Sequence, residues 1–222
     1  MSGTSIDQNN FKTVSFSGIG YNTADIQQIK IDDGGAQTIG WGAENFSIWE
    51  GVPSVAEGSG FTYWDPMYGD GVNYFWGDES CTPASFSIAQ GQAVVIECSA
   101  DLTVTTSGQV PTEKVEFTSI EQNNFTGNPF PVEIDIQNIK IDDGGAGTIG
   151  WGAENFSIWE GIPTVREGSG FTYWAPDYGD GEHYFWGDES CVPVEYPIAP
   201  GQGVVIECSA GLTISIVPPY SL

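Results

Sequence analysis

Short apolar runs alternate along the whole chain with clusters of Gly, Pro, Asp and Ser, and no helical period is sustained. Gly or Pro recurs every few residues, so no window supports a helix of about ten residues. The runs IQQIKI, FSIWE, FTYW, NYFW, AVVIEC and LTVTT are rich in strand formers instead. Alternation assigns their faces. In FSIWE, Phe46 and Ile48 oppose Ser47 and Trp49. In AVVIEC, Val94, Ile96 and Cys98 oppose Val95 and Glu97. In LTVTT, Leu102 and Val104 oppose Thr103 and Thr105. The Asp-Gly steps in DDGG and YGDG suit tight hairpin turns, where positive φ is required. No crossover helix is available to build a parallel sheet.

The pattern occurs twice. IKIDDGGAQTIGWGAENFSIWEG at 29–51 returns as IKIDDGGAGTIGWGAENFSIWEG at 139–161. Between Ile26 and Cys98, about 57 of 73 positions are identical in the second copy, without a gap. Upstream, IDQNNF at 6–11 matches IEQNNF at 120–125 at a different offset, with KTVSFSGIGYNTAD in one copy and GNPFPVEID in the other. The chain therefore reads as all-β, two tandem homologous β-sandwich (jelly-roll-like) domains over 1–110 and 111–222, joined by a short polar linker near Ser107–Thr112. About 7–9 strands are expected in each. The expected cores contain Trp41, Phe46, Ile48, Val94 and Ile96, then Trp151, Phe156, Ile158, Val204 and Ile206. Thr4–Val14 precedes the ungapped region and reads as a strand with no fixed partner in its own domain. Such an arm would add to a neighbouring subunit and propagate a fibre, the alternative being that it pairs within its own domain or frays as termini commonly do.

Copy two runs NNFTGNPFPVEIDIQNIKIDD, GFTYWAPDYGDGEHYFWGDESC and IAPGQGVVIEC. This order resembles tandem β-sandwich modules of secreted and cell-surface bacterial proteins, with their NPFP, YWDP…W and GQG outline. The resemblance covers most of both copies. It implies an extracellular location and a non-enzymatic role. Copy one lacks GNPFP, so a different first strand pairing is expected there.

Composition narrows the function. The chain has 222 residues, 30 acidic against 5 basic, and a formal charge of −25. Phosphate backbones and anionic lipid would repel it, which excludes nucleic acid as a partner. No run of about 18 apolar residues exists, so no membrane insertion by a helix is expected. With 8 Trp, 9 Tyr and 12 Phe the chain has the apolar residues that disordered acidic tracts lack. The first residues have neither a basic start nor an apolar stretch, so no signal peptide is visible. That fits a cytosolic protein, or a secreted one whose signal was removed.

Each copy has two cysteines at the same spacing, and the even count favours the disulfides Cys81–Cys98 and Cys191–Cys208 over buried thiols. Disulfides, with only five Lys or Arg as protease sites, point to an oxidising extracellular or cell-surface setting.

Candidate chemistry is thin. The single histidine, His183, is Asn73 in copy one, so a duplicated Ser-His-Asp or Cys-His site is impossible. Glu44, Glu50, Asp78 and Glu79, with Glu154, Glu160, Asp188 and Glu189, have the residue type of a glycosidase pair, but acids abound and solvated turns explain them. No cofactor is required. A Ca²⁺ ion would be held by loop acids, namely Asp32, Asp33, Asp70, Asp142, Asp143 and Asp180. The aromatic hairpin is the most distinctive feature. Tyr63, Trp64, Tyr68 and Trp76, repeated as Tyr173, Trp174, Tyr178 and Trp186, are candidates to stack on a glycan or a protein partner, against a packing role. Differences between copies gather beside it, at Ala56/Arg166, Asp65/Ala175, Met67/Asp177, Val72/Glu182 and Asn73/His183. Such free polarity swaps suit a tolerant exposed surface. Sequons at Asn45, Asn124 and Asn155 receive no role.

The expectation is a non-enzymatic extracellular or cell-surface structural or adhesive protein, self-assembling into a homo-oligomer, array or filament. The alternative is a carbohydrate-binding protein that holds surface glycan on its aromatic hairpins.

Overall fold

β-Branched and aromatic residues set between Gly and Asp turns make strands too short to stand alone, so their order in the sheets decides the fold. The computed structural model describes residues 2–4, 8–13, 23–35, 39, 47–49, 61–89, 91, 93–98, 101–107, 110–149, 157–159 and 170–220. Within them the protein is all-β, with no helix of seven or more residues. The first half contributes β1 (Ser2–Thr4), β2 (Gln8–Thr13), β3 (Thr23–Asp25), β4 (Ile29–Asp32), β5 (Ser47–Trp49), β6 (Phe61–Trp64), β7 (Phe75–Gly77), β8 (Ser87–Ala89), β9 (Ala93–Cys98) and β10 (Thr103–Thr106). The second half contributes β11 (Val115–Thr118), β12 (Gln122–Gly127), β13 (Ile134–Asp135), β14 (Ile139–Asp142), β15 (Ser157–Trp159), β16 (Phe171–Trp174), β17 (Phe185–Gly187), β18 (Pro197–Ile198), β19 (Gly203–Cys208) and β20 (Thr213–Ile216).

Each half makes the same three sheets, all antiparallel. One is five-stranded, in the order β2-β9-β5-β6-β7 and again β12-β19-β15-β16-β17. One is three-stranded, β1-β10-β4 and β11-β20-β14, and β3-β8 and β13-β18 form two-stranded pairs. Registers repeat as well. Gln8 faces Cys98 as Gln122 faces Cys208, so the absence of GNPFP from copy one leaves this pairing unchanged.

Each core draws its residues from both the three- and the five-stranded sheet of its half. In the second half Val115, Ile139, Ile141, Ile214 and Ile216 of the three-stranded sheet meet Tyr173, Trp186, Val204, Ile206 and Cys208 of the five-stranded one. The first half repeats this with Ile29, Ile31 and Val104 against Tyr63, Trp76, Val94, Ile96 and Cys98. Val94, Ile96, Val204 and Ile206 are thus core residues, as alternation predicts. Trp41, Phe46, Trp151 and Phe156 lie outside the described residues, and for Ile48 and Ile158 only the backbone is described.

A polar clamp fixes one layer to the other. Trp76 on β7 is fully buried, and its indole N–H donates across the core to the Ile29 carbonyl on β4 at 2.9 Å. Gln27 lies in a 3₁₀ turn, Ile26–Gln28. Its Nε2 donates to the Trp76 and Ala84 carbonyls, both at 2.7 Å, and its Oε1 accepts from the Trp76 amide at 3.0 Å. Gln137 repeats all three bonds, with Trp186 and Val194, and Trp186 donates to the Ile139 carbonyl at 2.8 Å. The run IQQIKI is therefore not one strand. Asp25 caps the turn by accepting from the Gln27 amide at 2.9 Å, and Gln28 answers by accepting from the Asp25 amide at 3.1 Å.

Other expectations are corrected by the pairings. The N-terminal segment is not an unpartnered arm, because β1 pairs with β10 and β2 pairs with β9, both within its own half. DDGG does place Gly34 and Gly35 at φ +66° and +87°. YGDG is not a two-residue hairpin turn. It lies in the middle of a longer link between β6 and β7, starting with the last residue of the 3₁₀ turn Pro66–Tyr68.

The halves touch. Gly91, just before β9, has φ +78°, and a side chain there would meet Val115 Cγ1 at 2.7 Å and Ile216 Cδ1 at 3.4 Å. Its carbonyl accepts from the buried Thr126 hydroxyl at 2.7 Å. A first-half turn thus abuts the edge of the second-half core.

Replacing Gln137 by Ala strands the Trp186 amide in a part-buried site and removes one donor from the Trp186 and Val194 carbonyls, the first of which keeps the Val194 amide at 3.1 Å. The variant is expected to lose roughly 1–3 kcal/mol in urea unfolding. A change within about 0.5 kcal/mol would show that water replaces the clamp.

Candidate functional site

The aromatic hairpin is built by register. Tyr63 faces Trp76, and Trp64 faces Phe75, so each pair shares one side of the sheet. Tyr63 and Trp76 point into the core, with ring centroids 4.9 Å apart. Trp64 points the other way, yet is only 8% exposed. The chain folds back over that outer face: Tyr68 meets Trp64 edge-on at 5.3 Å, and the Trp64 indole donates to the Asp78 carbonyl at 3.0 Å. Gly77 leaves room for this, since a Cβ there would lie 3.0 Å from Trp64 Cδ1 and 2.8 Å from the Thr82 carbonyl oxygen. Copy two is equivalent, with Trp174 against Tyr178 at 5.2 Å and its indole on the Asp188 carbonyl at 3.0 Å. Of the eight aromatic candidates, Tyr63, Trp64, Trp76, Tyr173, Trp174 and Trp186 are buried. Tyr68 and Tyr178 alone are open to solvent, at 40% and 47% exposure.

The loop acids are engaged in their own turns. Asp32 and Asp33 accept from the Gly34 and Gly35 amides at 2.8 and 2.9 Å. Asp142 and Asp143 do the same for Gly144 and Gly145. Asp70 accepts from the Val72 and Asn73 amides and from the Asn73 side chain. Asp180 accepts from the Glu182 and His183 amides, and its Oδ2 lies 2.8 Å from His183 Nδ1. Asn73 and His183 exchange freely because each can donate to the same carboxylate. These bonds favour the charged form. The Asn73 amide holds Asp70 down to about 2, the Thr148 amide holds Asp143 to about 2, and the Glu182 amide does so for Asp180. Among the described residues, no group of three or more His, Cys, Asp or Glu side chains is arranged to hold a metal. The six acids named for Ca²⁺ fall in two separate turns per copy.

The cysteines correct the sequence reading. Neither Cys81–Cys98 nor Cys191–Cys208 forms a disulfide, and no two of the four lie at disulfide distance. The sheet order explains this. Cys98 ends β9 and Cys81 follows β7, with β5 and β6 between those strands. Three strand spacings put them about 14 Å apart, beyond a disulfide's reach. Cys81 and Cys191 instead occupy the turn after the hairpin at φ +57° and +59°, while Cys98 and Cys208 are buried. Burial pushes the Cys208 thiol up to about 11. Asn124 is also buried, 1% exposed, with its amide on the Ile120 and Ile206 carbonyls, so its sequon is closed to modification.

The structure adds a feature that the sequence reading missed. A cavity of about 560 Å³ opens beside the second hairpin, lined by Ile149, Ala175, Pro176, Asp177, Tyr178 and Tyr184 among others. In copy one the residue matching Ala175 is Asp65. Its carboxylate accepts from the Met67 amide at 2.8 Å and lies close to Tyr74. Ala175 makes no such bond. The Asp65/Ala175 difference was therefore the signal available in the sequence.

Compared with protein-family models, curated proteins and solved structures, the chain finds no match.

Two outcomes follow from this geometry. Because Asp143 and Asp180 ionise more readily folded than unfolded, their contribution is present above about pH 4 and lost as pH falls through about 2. The Thr148 and Glu182 amide shifts should titrate with midpoints near 2. Midpoints near 4 would mean that the turn bonds do not hold in solution. Thiol labelling of the native protein should modify Cys81 and Cys191 well before Cys98 and Cys208, with all four reacting in denaturant. A pair that reacts only after reduction would contradict the thiol assignment.

Proposed function

We propose that the chain is a non-enzymatic structural or adhesive protein of the cell surface or extracellular space, built as two tandem β-sandwich domains over 1–110 and 111–222. The use of the duplicated side chains carries this reading. In both copies the aromatic hairpin packs over itself, and the loop acids cap turns, so both sets serve rigidity. What is left outside is an anionic shell, which keeps copies of a surface protein apart and soluble. The facing three- and five-stranded sheets of each half support the sandwich assignment.

The neighbours across the halves also fit a paired body. β12 adjoins β9, β19 adjoins β2, and like strands adjoin like, so exchanging the halves returns the same set. A contact of that kind closes on itself rather than propagating. With β1 and β2 paired at home, filament growth by strand addition loses its support, and adhesion as a paired unit is the form we favour.

Surface labelling of intact source cells with an antibody to this chain is the test. The expected result is labelling that protease shaving removes, together with weaker attachment of cells lacking the protein. Recovery of the chain solely from the cytosol would overturn the proposal.

A further inference from the structure

The geometry points to the cavity beside the second hairpin as a receptor for an alkylammonium group, presented by the lysine side chain of a partner protein. Three features define the chemistry. Ile149, Ala175 and Pro176 offer an apolar lining for a short methylene stem. Tyr178 and Tyr184 line the cavity with aromatic surface of the kind that attracts a cation, and Tyr184 is held in place by stacking on Tyr173 at 5.7 Å and 17°. Asp177 lines the same cavity and supplies a counter-charge, with the Asp180 and Glu182 turn beside it.

Comparison with copy one shows how the site arises. Asp65 there caps the Pro66–Tyr68 turn close to Tyr74, so a built-in carboxylate takes the position that Ala175 vacates. Two neighbouring changes add acids, while the Asp65 position loses one and Ala56 becomes Arg166. Met67 becomes Asp177 and Val72 becomes Glu182, so the truncation that opens space is accompanied by two added acids. A neutral sugar gains little from added charge, whereas an ammonium ion gains from each added acid. A second copy of this chain is a poor donor, since five basic residues face thirty acidic ones and copies repel. A basic partner also meets long-range attraction before contact.

The proposal stands on the cavity and does not need the surface location, so either can fail alone. The test is titration of the intact chain, followed by NMR, with acetyl-Gly-Lys-Gly-amide, its norleucine counterpart, 1,5-diaminopentane and cellotetraose. The lysine peptide should bind saturably, with shifts centred on Tyr178 and Tyr184, and the norleucine peptide should bind at least tenfold more weakly. Asp177→Asn should weaken the lysine peptide about tenfold. Ala175→Asp is the decisive variant, because it raises the negative charge while filling the space as copy one does, and copy one shows that the hairpin folds with Asp there. Loss of binding in Ala175→Asp supports a shaped site. Unchanged or stronger binding means that the acidic surface alone attracts the peptide, and overturns the proposal. So does equal binding of the norleucine peptide, or binding of cellotetraose alone. Diaminopentane binding more than tenfold tighter than the lysine peptide would keep the ammonium chemistry but overturn a protein partner in favour of a free amine.

Discussion

The indole N–H of Trp76, and of Trp186 in the second copy, is the contact on which the arrangement turns. It lies in the core and donates to a main-chain carbonyl of the opposite sheet. Two sheets held only by aliphatic contacts can slide, because hydrophobic attraction has no direction. A buried hydrogen bond does have direction, and losing it would leave an orphaned carbonyl. It therefore fixes where β7 sits over β4, and through β7 the position of the whole aromatic hairpin. The stacked tyrosines, the turn over Trp64 and the second-half cavity all take their places from that anchor.

The sequence reading captured the duplication, the all-β class and the buried faces of β9 and β19, because period-two alternation and a gapless repeat are local signals. It placed positive φ correctly at Gly34 and Gly35. It failed where distant strands decide the outcome. Cys81 and Cys98 are close along the chain, yet two intervening strands separate them, and spacing alone does not reveal sheet order. IQQ looked like strand because its Asp25 cap and its bonds to Trp76 are tertiary features. Trp64, on the outer face of the hairpin, was a candidate to stack on a ligand. It is covered because Tyr68 and the Asp78 turn return over Trp64, which alternation within one strand cannot express.

The two copies act as a natural experiment on one scaffold. Where Asn73 becomes His183, the carboxylate partner is retained and the turn persists. Where Asp65 becomes Ala175, a side-chain cap is lost, yet the 3₁₀ turn Pro176–Tyr178 still forms. Proline at its first position, together with the Gly179 amide bonded to the Pro176 carbonyl at 2.9 Å, suffices for the backbone. The scaffold thus tolerates change at this rim, and the second copy uses that freedom to expose a tyrosine-lined hollow.

Gln27 and Gln137 have one more effect. β7 and β17 are the last strands of their sheets, and such strands ordinarily present bare amides and carbonyls to any passing chain. The glutamine carboxamide bonds both groups of Trp76 or Trp186, as a neighbouring peptide unit would, and Pro83 and Pro193 bridge the adjoining glycines without offering an amide. The border of each sheet is thereby occupied by the glutamine side chain together with the returning backbone, whose Ala84 or Val194 amide bonds the same tryptophan carbonyl. A chain dense in tryptophan and tyrosine can then be crowded at high local concentration without seeding cross-β growth from that side.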